Sequence, residues 1–326
     1  MNQLITLQAA ADLIRSGRAL TVAGTEAALD QLPAGTWIGG TTPYFMLTNG
    51  GAVVSDDQVF VTDLGELGEV TIARWSTAEL DQLARSGPDN GFALTIIPAG
   101  SSAHQRFAAE AASFPEAFLK PTVGWIAGMR VEDIGKRTAK VYDGRTATRL
   151  EDAAVVAYVS VPAEKMVSLE IVNLFEPNGE DRLTFPTNGF HVDQCEVNGE
   201  KVAFSEYVRS RGFDHGRVPL VGDFGGAHLN ASLQAVSADG GVDLYAPVFT
   251  GVDYHFARPV DDYAAQFRSR IAAVDPEGVV WGCNCVLNYL FGELEGKAIG
   301  GVQGPVTFGE IAYQLLNQTF VMVRLS

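Results

Sequence analysis

Trp281-Gly282-Cys283-Asn284-Cys285 places two thiols two residues apart. On a strand such a pair shares one face, whereas on a helix the two side chains diverge by about 200°. A thiol where a strand gives way to a helix feels the helix N-terminus, which lowers its pKa and favours the thiolate. Cys283 or Cys285 could then act as a nucleophile, with His228 or His255 as the base. The same residues also fit buried cysteines acting as small hydrophobes. Cys-x-Cys is not the Cys-x-x-Cys spacing of redox enzymes or common zinc sites. The five histidines, His104, His191, His215, His228 and His255, form no His-x-x-x-His or His-Glu-x-x-His pair. No metal site is expected from them, although one exposed imidazole could bind haem iron.

Two other stretches could carry chemistry. Pro219-Leu220-Val221-Gly222-Asp223-Phe224-Gly225-Gly226 contains Asp-Phe-Gly, but the chain lacks the Gly-rich loop, the Val-Ala-Ile-Lys strand and the His-Arg-Asp loop of kinases. It reads as a Gly-rich turn, either purely structural or presenting backbone amides to a ligand. Phe308-Gly309-Glu310, followed by Asn317, places a carboxylate and an amide in an apolar context. Glu310 could accept hydrogen bonds from an amine-bearing ligand, with Asn317 adding a donor and an acceptor. Alternatively, both satisfy backbone groups where chain segments cross.

The elements that must position these residues are legible from pattern. Arg18 to Gly24 and Trp37 to Thr42 read as strands around a short helix capped by Thr25 and ending at Leu32. The first 17 residues look like an amphipathic helix, with helical spacing over Leu7 to Ser16, and lack the cationic start of a signal peptide. Helical spacing recurs from Thr77, with Ser76 as cap, from Gly100-Ser101-Ser102, and over 261–273. Phe92 to Pro98, Val123 to Met129, Ala153 to Val161 and Met166 to Phe175 read as strands. Asn198-Gly199 signals a hairpin between Cys195-Glu196-Val197 and Lys201-Val202-Ala203. Leu229 to Val236 reads as one strand, turned by Ala238-Asp239-Gly240-Gly241 into Val242 to Tyr245. Phe320-Val321-Met322-Val323 is a buried closing strand. Hairpins in the second half argue against a purely parallel sheet, so an α+β fold is expected, with mixed and antiparallel sheets covered by helices.

At 326 residues the chain can hold one large or two ordinary domains. Its formal net charge of −16 argues against nucleic acid or an anionic membrane as partner. No stretch reaches the roughly 18 to 20 apolar residues needed to span a bilayer. Three cysteines are too few, and odd in number, for a disulfide framework, so a cytoplasmic location is expected.

The C-terminal pattern, Phe308-Gly309-Glu310 followed by Asn317-Gln318-Thr319 and a final strand, resembles the end of FIST domains, intracellular sensory domains of bacterial signalling proteins. The segments Arg18 to Gly24, Trp37-Ile38-Gly39-Gly40-Thr41-Thr42, Gln58 to Leu64 and Val123 to Met129 are similar to that family as well. Where the family often carries a Gly-Glu pair, this chain has Pro43-Tyr44-Phe45-Met46. The resemblance implies a two-part architecture, with an N-terminal region over 1–165 and a C-terminal region over 166–326. It implies a stand-alone sensory protein that binds a small molecule between the two parts and passes its signal to a separate signalling protein. The residues then expected around the ligand are Gly39, Thr41, Trp125, Asp223, Cys283, Glu310 and Asn317. A branch of the family binds haem and senses a gas, so the resemblance leaves a haem-binding gas sensor as an alternative, although no local pattern here matches that branch.

Overall fold

A computed structural model describes the chain except residues 1, 49–50, 238–239 and 298–299. The expected turn at 238–241 therefore lies partly outside the described residues.

The chain opens with β1 (Asn2–Thr6), α1 (Leu7–Arg15), β2 (Leu20–Gly24), α2 (Glu26–Leu29), β3 (Trp37–Thr41), β4 (Tyr44–Leu47), β5 (Gly51–Val54), β6 (Gln58–Asp63) and β7 (Glu69–Ser76). It continues through β8 (Gly91–Pro98), α3 (Ser102–Glu110), β9 (Thr122–Ala127), β10 (Val141–Asp143), β11 (Thr148–Leu150), β12 (Ala153–Ser160) and β13 (Val167–Asn173). A run of shorter elements follows: β14 (Leu183–Thr184), β15 (Gly189–Val192), β16 (Gln194–Val197), β17 (Glu200–Ala203), α4 (Phe204–Ser210), β18 (Leu220–Asp223), β19 (His228–Ala231), β20 (Leu233–Val236), β21 (Val242–Val248) and β22 (Asp253–Phe256). The chain ends with α5 (Tyr263–Ala272), β23 (Val279–Cys285), α6 (Val286–Phe291), β24 (Gly304–Thr307), β25 (Glu310–Ala312), β26 (Gln314–Leu316) and β27 (Thr319–Leu325).

These elements form an α+β fold of mixed and antiparallel sheets. The chain divides into two compact units. The first comprises Met1–Val172, Phe267–Leu315 and Thr319–Ser326; the second comprises Asn173–Gln266 and Leu316–Gln318. The chain thus leaves the first unit shortly after the expected 165/166 division and returns to it at Phe267.

The first unit holds three six-stranded sheets, ordered β1-β6-β2-β3-β10-β11, β26-β25-β9-β8-β12-β7 and β13-β27-β23-β24-β4-β5. Its parallel pairs come from strand–helix–strand crossovers: β2 pairs with β3 across α2, β8 with β9 across α3, and β23 with β24 across α6. Every residue of β8 is buried, Thr95 included, as expected of a largely apolar strand covered on both faces. Helix α1 lays Ala10 and Ile14 on a core with Val22, Leu29, Trp37 and Val61. Thr25, Ser101 and Thr6 cap their helices by accepting backbone N–H groups. The segment from Thr77 is a 3₁₀ helix closed by a Ser76–Glu79 capping box.

The second unit pairs the six strands β17-β16-β14-β22-β18-β19, and β15-β21-β20 beside them. The expected hairpin is there: Asn198 and Gly199, at φ 53° and 90°, join β16 to β17.

Two sequence expectations are corrected. Residues 2–6 form a strand paired antiparallel with β6, and the helix starts only after Thr6. Leu229 to Val236 is broken at Ser232, so β19 pairs with β18 and β20 with β21 in different sheets. Among the described residues no helix is long and apolar enough to cross a membrane.

Candidate functional site

The first unit carries an open cleft of about 360 Å³ where β2, β3 and β9 end at their carboxyl termini. Ligands of open α/β sheets bind in that position, because the chain must turn there and leaves a crevice. Three threonines build its walls. Thr25 follows β2, donates its hydroxyl to the Asp56 carbonyl (3.1 Å) and accepts the Ala28 N–H. Thr41 ends β3, donates to the Gly128 carbonyl (2.7 Å) and accepts the Lys140 N–H (3.0 Å). Thr42 donates to the Val306 carbonyl (2.6 Å) and accepts the Tyr44 N–H (3.3 Å). The Gly128 N–H in turn donates to the Thr41 carbonyl (2.7 Å), and the Thr42 N–H to the Gly24 carbonyl (2.9 Å). Each hydroxyl is spent on backbone, so these residues shape the cleft and hold it open.

Gly128 is required by its neighbour. A Cβ there would lie 1.9 Å from the Phe308 ring, which occupies the space a side chain at this position would need. Phe308 of the C-terminal motif therefore supports the cleft floor. Charged groups stand around the rim: Glu26, Asp56, Arg130, Asp133 and Arg137. Arg130 is held to Asp56 at 2.5 Å, and Glu26 to Arg149 at 2.9 Å.

Behind the floor lies a closed polar cluster. Glu310, on β25, is fully buried. Its Oε2 accepts the Thr319 hydroxyl (2.8 Å) and the Thr319 N–H (3.2 Å), while Thr307 Oγ1 lies 3.5 Å from Oε1. Burial pushes the Glu310 carboxyl up to about 8, against the hydrogen bonds from Thr319 and Cys285 that favour its charge. Cys283 and Cys285 sit on one face of β23, as the strand reading of Cys-x-Cys requires. The Cys283 thiol contacts the Gly124 carbonyl at 3.5 Å. Burial first, and the Glu310 carboxylate second, hold its pKa well above the ordinary value. A thiol so placed stays protonated and out of reach of a substrate, which is the opposite of an activated nucleophile. Trp125 stacks on Trp281 with ring centroids 6.0 Å apart, beside the same strands.

The structure thus gathers some of the sequence candidates and separates others. Thr41 lines the cleft and Gly39 lies on the same strand, two residues earlier. Trp125, Cys283 and Glu310 lie together in the core of the first unit with no exposed surface to offer. Asp223 and Asn317 belong to the second unit. Asp223 is exposed and closes a tight turn by accepting the Gly226 N–H (2.6 Å), with Gly225 and Gly226 at positive φ. Asn317 is buried, and its carbonyl accepts a hydrogen bond from Asn230 (3.0 Å). His228 on β19 and His255 on β22 also belong to the second unit, whereas both thiols belong to the first. Among the described residues no three His, Cys, Asp or Glu side chains are grouped to hold a metal ion.

Sequence reasoning missed Arg130, Asp133, Arg137 and Gly128. A signal was present: residues 130–140 carry Arg130, Lys136, Arg137 and Lys140 against Glu132 and Asp133, a net positive stretch in a chain of formal charge −16.

Residues 5–326 match the model of a family of unknown function, DUF6976, and the chain belongs to that family. No curated protein matches it.

Proposed function

We propose that this chain is a small-molecule-binding sensory protein of the FIST type, and that its ligand occupies the cleft at the carboxyl ends of β2, β3 and β9. The observation that carries the reading is the cleft's construction. It has the volume of a small-molecule site, and three threonines hold its walls through hydrogen bonds that need no ligand. Such a site is preformed, so little ordering opposes binding. The support that Phe308 gives to Gly128 links the C-terminal Phe-Gly-Glu motif to this cleft. Output passes through a separate signalling protein.

The test is native mass spectrometry of protein purified without denaturant, compared with its denatured mass, for the natural chain and for Ala27→Trp. Ala27 is exposed and lines the cleft, so an indole there fills the cleft without disturbing the core. A non-covalent mass retained by the natural chain and lost from the variant is expected. Retention by both would place the ligand elsewhere. Absence from both, together with no thermal stabilisation by a panel of small metabolites, would refute the reading.

A further inference from the structure

We propose that the ligand of this cleft carries a carboxylate or phosphate group and that Arg137 anchors it; the inference rests on the reading of the cleft as a ligand site. Arg137 lines the cleft and also an adjoining hollow of about 480 Å³, which it shares with Lys136, Thr138 and Lys140. It therefore stands where the two spaces meet.

The neighbouring charges are already committed. Asp56 is bound to Arg130 at 2.5 Å, Glu26 to Arg149 at 2.9 Å, and Lys140 to Glu151 at 2.8 Å. The threonine hydroxyls of the walls are spent on backbone carbonyls. Lys136 donates to the Glu132 carbonyl (2.8 Å). Arg137 differs from all of these. Its nearest carboxylate among the described residues is Asp133, with Nε to Oδ2 at 3.8 Å, beyond hydrogen-bonding distance, and its side chain is 68% exposed. Asp133 holds the guanidinium near the cleft by charge without saturating its N–H donors. A planar fork of unspent donors at the mouth of a preformed cleft matches the two oxygens of a carboxylate or phosphate. The positive bias of residues 130–140 favours an anion at this point of an otherwise acidic molecule.

The probes are inorganic phosphate and acetate, each titrated into the full-length ¹⁵N-labelled chain while the Gly128 and Thr138 amides and the Arg137 Nε–H are followed. Saturable shifts with at least one probe are expected. Arg137→Ala should weaken that binding by about tenfold or more, and Arg137→Lys, which keeps the charge and loses the fork, by several-fold. Arg85→Ala, which lines neither space, should bind as the natural chain does. Phosphate alone binding marks a phosphorylated ligand, and acetate alone a carboxylic acid. No saturable shift with either probe, or unchanged affinity in Arg137→Ala, would overturn the inference. The Ala27→Trp mass comparison separates the two failures. A ligand lost from Ala27→Trp but retained by Arg137→Ala leaves the cleft reading standing and removes the anionic anchor. A ligand kept by Ala27→Trp removes both.

Discussion

Replacing Glu310 with Gln tests the most unusual electrostatic feature of the first unit. An unfolded glutamate loses its proton near 4.5, whereas the folded Glu310 carboxyl keeps its proton up to about 8. Between those values the folded state holds a proton that the unfolded state lacks, so stability falls as pH rises. The loss begins above 4.5 and levels off above about 8. Between pH 5 and pH 8 the single group costs about 3 to 4 kcal/mol, from roughly 1.4 kcal/mol per unit. Glutamine mimics the protonated acid: its amide oxygen can accept both Thr319 donors, and its amide nitrogen takes the position facing Thr307 Oγ1. The variant should match the natural chain near pH 5 and exceed it by about 3 to 4 kcal/mol at pH 8. Urea unfolding followed by tryptophan fluorescence measures this directly, because all four tryptophans, Trp37, Trp75, Trp125 and Trp281, lie in the first unit. Subtracting the two proteins at each pH cancels every other titrating group. An identical difference at pH 5 and pH 8 would refute a neutral, buried Glu310.

Two further perturbations follow from the same core. Thr95 on β8 is fully buried and its hydroxyl has no hydrogen-bond partner among the described residues, so Thr95→Val should raise stability by about 1 to 2 kcal/mol in the same urea assay; a loss of that size would reveal a partner for the hydroxyl. Cys195, Cys283 and Cys285 are all buried, with Cys195 pushed up to about 12 and Cys283 also raised. Iodoacetamide at pH 8 should leave the native chain unmodified and alkylate all three thiols after denaturation; rapid native labelling of Cys283 by mass would restore the nucleophile reading.

How much of this was legible in the sequence depends on the range of the interactions involved. The Asn198-Gly199 hairpin, the caps at Thr25 and Ser76 and the shared face of Cys283 and Cys285 are local, and spacing alone determines them. Residues 2–6 were misread because the apolar spacing of α1 continues backwards through them. Only pairing with β6 makes them a strand, and Thr6 ends that strand while capping the helix. The break at Ser232 is equally non-local, since its two flanking strands join different sheets. Glu310 stood out as a carboxylate in apolar surroundings, which signals a partner but does not distinguish a ligand from Thr319. Arg137 was missed because the loop between β9 and β10 has no periodicity, and its position at the cleft is set by where β3 and β9 end.

Those strand ends bear on whether the first half of the chain can stand alone. Strand β4 pairs with β24 through Met46↔Gly304, Phe45↔Pro305 and Tyr44↔Val306, and β9 pairs with β25 through Trp125↔Glu310, Gly124↔Ile311 and Val123↔Ala312. A chain cut after residue 165 leaves both edges open and removes Phe308 from Gly128. It also removes Trp281, Val306, Ile311, Phe320 and Val321, all buried in the same unit. At about 1.5 to 3 kcal/mol for each buried side chain, that loss matches the whole stability of an ordinary domain. Residues 1–165 alone should therefore show no cooperative urea transition by tryptophan fluorescence and should associate through the unpaired edges of β4 and β9. A monomeric 1–165 fragment with a sharp transition would mean that the N-terminal region folds by itself, and that β24 and β25 dock onto a finished sheet. Loss of the transition would make the cleft a joint product of both ends of the chain.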